Sequence, residues 1–78
     1  MIKVEAKPEN RDEIRRVVDI RCAEQGISRS TYAVKTLQVS PHLLNFMLSG
    51  RIRAKSHPEI MRKVSKFAGV TDATAWER

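Results

Sequence analysis

The segment 41–49 holds three side chains suited to reading the edges of bases: His42, Asn45 and Phe46. An asparagine amide matches the N6/N7 edge of adenine with one donor and one acceptor. An imidazole N–H can donate to guanine N7 or O6 or to a phosphate, and an apolar ring can cover a thymine methyl. Leu43 has the same apolar option. For Leu43 and Phe46 two other uses compete: a contact between two copies of the chain, and a core broader than helical spacing alone draws. Directly after Gly50, the basic side chains Arg51, Arg53 and Lys55 alternate with uncharged residues in a loop. Cations so placed neutralise phosphates without specifying sequence.

The charge distribution supports a polyanionic partner. Across 78 residues, 15 Lys and Arg against 9 Asp and Glu leave a net +6, a large excess for so small a body. It is concentrated: residues 26–66 carry eight basic side chains against Glu59 alone, whereas residues 1–25 are neutral. Arg62, Lys63 and Lys66 extend the positive field. Catalysis is not expected. Cys22 falls on an apolar helical face, His42 and His57 lack paired ligands, and no phosphate loop or nucleophile elbow is present. His57, before Pro58, reads as a capping or loop residue. No cofactor, metal or small-molecule ligand is implied. A single cysteine excludes an intrachain disulfide and fits a reducing compartment. No apolar run approaches the ~20 residues that span a bilayer, and no signal-peptide core opens the chain, so a cytoplasmic, nucleoid-associated protein without membrane contact is expected.

The elements that must hold these side chains are all helical by their spacing. A length of 78 residues allows one domain, read as an N-terminal arm over 1–10 and a helical domain over 11–78. Ile2 and Val4 alternate with charges, but Pro8 ends any regular element and a frayed arm is the reading. Asn10 is an N-cap with Glu13 three residues on, so a first helix starts at Arg11. It turns Ile14, Val17, Val18 and Cys22 to one face and stops at Gly26. A second helix of about two turns runs through Tyr32 to Leu37, with either Ser28 or Ser30 as its cap. Ser40 caps a third helix with Pro41 at its first position and Gly50 at its end. Val39, Leu44, Met47 and Leu48 form its inward face, leaving Pro41, His42, Leu43, Asn45, Phe46 and Ser49 outward. A fourth helix follows Pro58 with Ile60, Met61, Val64, Phe67 and Ala68 at helical spacing and ends at Gly69. Thr71 or Asp72 caps a last turn whose Trp76 folds back on the core. The fold class is all-α, a bundle of four to five helices.

Two short helices joined by a tight turn, the second running Val39-Ser40-Pro41-His42-Leu43-Leu44-Asn45-Phe46-Met47-Leu48-Ser49-Gly50-Arg51, resemble the helix-turn-helix of the lambda repressor/Cro-type DNA-binding family. The resemblance covers about residues 11–70. The small size and the trailing Trp76-Glu77-Arg78 are similar to the Ner-like repressors of transposable phages within that group. It implies a sequence-specific transcriptional repressor that binds double-stranded operator DNA as a homodimer. His42, Asn45 and Phe46 then lie at base-reading positions with Leu43 beside them. Ser40 and Ser49 lie near phosphate, and Pro41, Ser28, Arg29 and Ser30 join Arg51, Arg53 and Lys55 along the backbone. Two departures stand out. Gln38 occupies the turn position where the family usually has glycine, and from Ser28 the second helix is one residue too long, so either Ser30 is its cap or the turn holds an extra residue. The alternative reading is an antitoxin-like or other protein-interaction module on the same fold, with Phe46 and Leu43 covered by a protein partner.

Overall fold

A computed structural model describes residues 7–78; the proposed alternation of Ile2 and Val4 lies outside them. Among the described residues every regular element is helical. Helix α1 spans Arg11–Glu24. Helix α2, Arg29–Thr31, continues as a π-helical segment over Tyr32–Leu37. Helix α3 is Pro41–Ser49 and helix α4 is Pro58–Ala68. Single 3-10 turns cover Ala54–Ser56 and Ala73–Glu77.

Local chemistry explains most boundaries. The Asn10 side chain accepts from the Glu13 amide at 2.9 Å, while the Glu13 carboxylate accepts from the Glu9 amide at 2.8 Å. This reciprocal pair is a capping box displaced by one residue. Pro8 just before it is buried, so the end of the arm lies against the domain. The side chain of Ser40 accepts from the His42 amide, and Pro41 follows at a position whose missing N–H costs nothing. Gly50, at φ +86°, then ends α3 and lets the Arg51 amide reach the Phe46 carbonyl at 2.9 Å. Asp72 caps the last turn through the Thr74 amide and hydroxyl, and those bonds hold its carboxyl below its ordinary pKa.

The core lies where α1 packs on α3, α4 and the C-terminal turn. Ile14, Val18 and Cys22 meet Leu44, Met47 and Leu48, with Val64, Ala68, Ala75 and Trp76 closing the other side. Burial pushes the Cys22 thiol up, aided by the charge of Asp19, as suits a small core residue. Trp76 folds back as expected and donates its indole N–H to Ser65 Oγ at 2.8 Å. Leu43 corrects the outward face drawn from spacing: it is half-buried and packs against the core. Lys55 also differs, since it belongs to a 3-10 turn and pairs with Glu77 at 3.0 Å.

The segment after α1 departs most from a plain helix. Ser28 is the cap, accepting from the Thr31 amide, and the helix continues directly into the π segment. The reason is burial. Tyr32, Ala33 and Leu37 all face the core, and residues five apart share a face when hydrogen bonds close over five residues but diverge in an ordinary helix. Tyr32 stacks on Phe67 of α4 with ring centroids 4.3 Å apart. The widened end is closed by the Gln38 and Val39 amides, both donating to the Ala33 carbonyl. Gln38 takes the left-handed conformation, φ 59° and ψ 41°, so the turn keeps the shape glycine would favour.

Two expected outcomes follow from this segment. Gln38 is exposed and φ there is positive, so Gln38→Gly should relieve side-chain strain and raise stability by up to about 1 kcal/mol. A rise in the denaturation midpoint checks it, and a fall would mean the glutamine side chain contributes more than its strain costs. Tyr32 is the only tyrosine, and burial first, then the neighbouring Cys22, pushes its phenol from 10.0 up to about 12. The folded state therefore holds this proton more tightly than the unfolded chain. Its contribution is complete below pH 10 and is lost as pH rises through about 12, on the order of 2–3 kcal/mol. Denaturation midpoints of wild type and Tyr32→Phe across that interval should diverge, the wild type falling more steeply.

Candidate nucleic-acid interface

Helix α3 has a buried and an exposed face, with Pro41 and Leu43 half-buried between them. Leu44, Met47 and Leu48 are buried, whereas His42, Asn45, Phe46 and Ser49 are exposed. Its nine residues extend ~14 Å along the axis, close to the ~12 Å width of a B-DNA major groove. The cap at Ser40 and the stop at Gly50 hold this length. The inward leucines and methionine set the rotation about the axis by packing on α1 and on the π segment.

On the exposed face, the rings of His42 and Phe46 lie 6.5 Å apart at a tilt of 36°. Phe46 is 37% exposed, and the Arg51 guanidinium stands 5.7 Å from its ring centre. The phenylalanine is thus wet on one side and covered by a cation on another, an arrangement worth ~0.5–1 kcal/mol at an exposed site. Arg51 and Arg53 are exposed, and among the described residues neither has a carboxylate in salt-bridge range.

The remaining candidates are more engaged. Ser40 Oγ caps α3, Ser49 Oγ donates to the Phe46 carbonyl at 3.2 Å, and Ser28 Oγ caps α2. Ser30 is exposed, Pro41 half-buried. Lys55 sits at the far end of the loop, tied to Glu77, and its charge is offset there. Arg29 is not a loose cation. Its Nε and Nη2 each donate to Asp19 at 2.8 Å, and its Nη1 donates to Asn45 Oδ1 at 2.9 Å. Spacing along the chain carried no sign of Asp19, which reaches this group from α1. His57 stands at the start of α4 with no side-chain cap bond. Arg62, Lys63 and Lys66 are exposed on α4.

Among the described residues no cluster of three or more His, Cys, Asp or Glu is placed to hold a metal ion. No described helix is long and apolar enough to cross a membrane. A cleft of about 370 Å³ lies between Arg11, Ile52, Arg53, Met61 and Trp76, behind the loop that leaves α3. The chain matches no protein-family model, and no curated protein or solved structure matches it.

Proposed function

We propose that this domain binds double-stranded DNA through a helix-turn-helix of the lambda repressor/Cro type. In this reading α2 with its π segment crosses the backbone and α3 enters the major groove. The observation that carries it is the exposed face of α3, where His42, Asn45 and Phe46 stand together on a helix whose opposite face is locked in the core. This face adjoins Arg51 and Arg53, two exposed arginines in the most basic part of the chain. A helix held in this way offers base-reading groups in fixed register, and mobile cations beside it supply affinity for any duplex. One small domain bound at a promoter acts most simply by occlusion, hence repression. A homodimer on half-sites ~10 bp apart fits the docking geometry of such domains.

Selection of bound sequences from random duplex DNA, followed by titration at several salt concentrations, tests this. An inverted repeat bound about 10³-fold or more above scrambled duplex is expected. Asn45→Ala should then lose ~1–3 kcal/mol of preference at one base pair. Arg53→Ala should weaken all duplexes alike and reduce the salt slope by ~1. Equal weakening by both variants would remove Asn45 from the base-reading group. Failure to bind any duplex would favour a protein-interaction module instead, with the exposed ring of Phe46 as its first point of contact.

A further inference from the structure

The geometry points to guanine, not adenine, as the base read at Asn45, with Arg29 and Asp19 as the positioning residues that decide it; this rests on the DNA-binding reading above. Three charged or polar side chains from three separate helices form one chain of bonds. Asp19 on α1 receives Arg29 Nε and Nη2 through its two oxygens, each at 2.8 Å. The third guanidinium nitrogen, Nη1, donates to Asn45 Oδ1 on α3 at 2.9 Å. The two-pronged contact is the strongest geometry for an arginine and a carboxylate, and it fixes the guanidinium plane. Partial burial helps, since the Arg29 and Asp19 side chains are only 30% and 44% exposed.

A guanidinium has no acceptor. Whatever atom of Asn45 meets it must be the carbonyl oxygen, so the orientation of this amide follows from chemistry. Nδ2, with its two N–H groups, is left as the free end. Reading adenine requires Oδ1 to accept from N6 while Nδ2 donates to N7. Here an adenine N6–H would have to share Oδ1 with a cation. Guanine presents two acceptors, N7 and O6, and cytosine presents only a donor at the corresponding edge. Arg29 has five N–H groups, of which three are used in these bonds. The remaining two add donors beside Asn45. The unit therefore offers donors to the groove, and guanine is the base that answers them.

The sequence expectation paired Asn45 with adenine because an isolated asparagine carries both functions. Arg29 occupies one of the two lone pairs of Oδ1 and leaves both Nδ2 donors free, so the acceptor half is weakened and the donor half is not. The same contact withdraws Arg29 from general phosphate neutralisation, since Asp19 already balances its charge.

The test compares wild type, Asn45→Ala, Arg29→Met and Asp19→Asn, each first shown to be helical by circular dichroism. Each protein is put through selection from random duplex and then titrated on four duplexes that differ at the base pair lost in Asn45→Ala. Wild type should prefer guanine there over adenine by about tenfold or more. Arg29→Met should free the carbonyl and move the preference at that same pair toward adenine. Asp19→Asn should relax the guanine preference yet raise the dependence on salt by ~1 in the log–log slope, as the released Arg29 turns to phosphate. A purely structural role would weaken all four duplexes together and leave the ranking unchanged. Adenine at the Asn45-dependent pair in wild type, or a ranking unmoved by Arg29→Met, would overturn the assignment while leaving DNA binding intact. Absence of any selected sequence for wild type would overturn both.

Discussion

Trp76→Ala is expected to lower stability by about 3–5 kcal/mol. The indole is 3% exposed and seated against α1 and α4, with its N–H bonded to Ser65 Oγ. Its removal leaves a void where the C-terminal turn meets the core, and a loss of this size is a large fraction of the ~4–12 kcal/mol available to a domain of this length. Ser65→Ala isolates the polar part and should cost only ~1 kcal/mol. Trp76→Phe, which keeps most of the ring area, should fall between the two. Chemical denaturation followed by helical circular dichroism measures all three. A cost below about 1 kcal/mol for Trp76→Ala would mean that the terminal turn is not docked in solution.

Gly50→Ala should cost roughly 2–3 kcal/mol by two separable effects. The first is the left-handed backbone at φ +86°, which costs a residue with a Cβ ~1–2 kcal/mol. The second is a collision: that Cβ would stand 2.7 Å from Arg11 Nε and 2.8 Å from Arg11 Cζ. A flexible side chain can retreat, but retreat breaks the bond from Arg11 Nη1 to the Trp76 carbonyl at 2.9 Å. Arg11→Ala removes the collision and that bond together. In that background the cost of Gly50→Ala should shrink to the backbone part, giving a coupling of about 1 kcal/mol. Full additivity would show that Arg11 moves aside freely. The site would feel the change as well. Gly50 directs Arg51 back over Phe46 and launches the loop bearing Arg53, so on the DNA-binding proposal the variant should bind all duplexes more weakly even at temperatures where it is folded.

These two residues also mark how far a linear reading reaches. Gly50 was legible as a helix stop and Trp76 as a residue that folds back, because left-handed backbone and apolar area are properties a residue carries with it. Their encounter with Arg11 was not legible: it joins the start of the domain to its end. The same division runs through the candidate interface. Ser40, Pro41 and Gly50 delimit α3 by local hydrogen bonding and dihedral preference, and Leu44, Met47 and Leu48 set its buried side by helical spacing alone. Leu43 escaped that spacing because the width of the core depends on what packs above it.

The sequence by itself determined an all-helical chain, the ends of α1, α3 and α4, the caps at Asn10 and Ser40, and the basic character of residues 26–66. Each follows from interactions within about one helical turn or from composition. Tertiary structure alone decided that the helix after Ser28 widens into a π segment, because only the stacking of Tyr32 on Phe67 and the burial of Leu37 require five-residue spacing there. It alone placed Asp19, Arg29 and Asn45 in one bonded chain. Those side chains are 10 and 16 residues apart along the chain, and no local preference encodes a meeting that depends on how three helices cross.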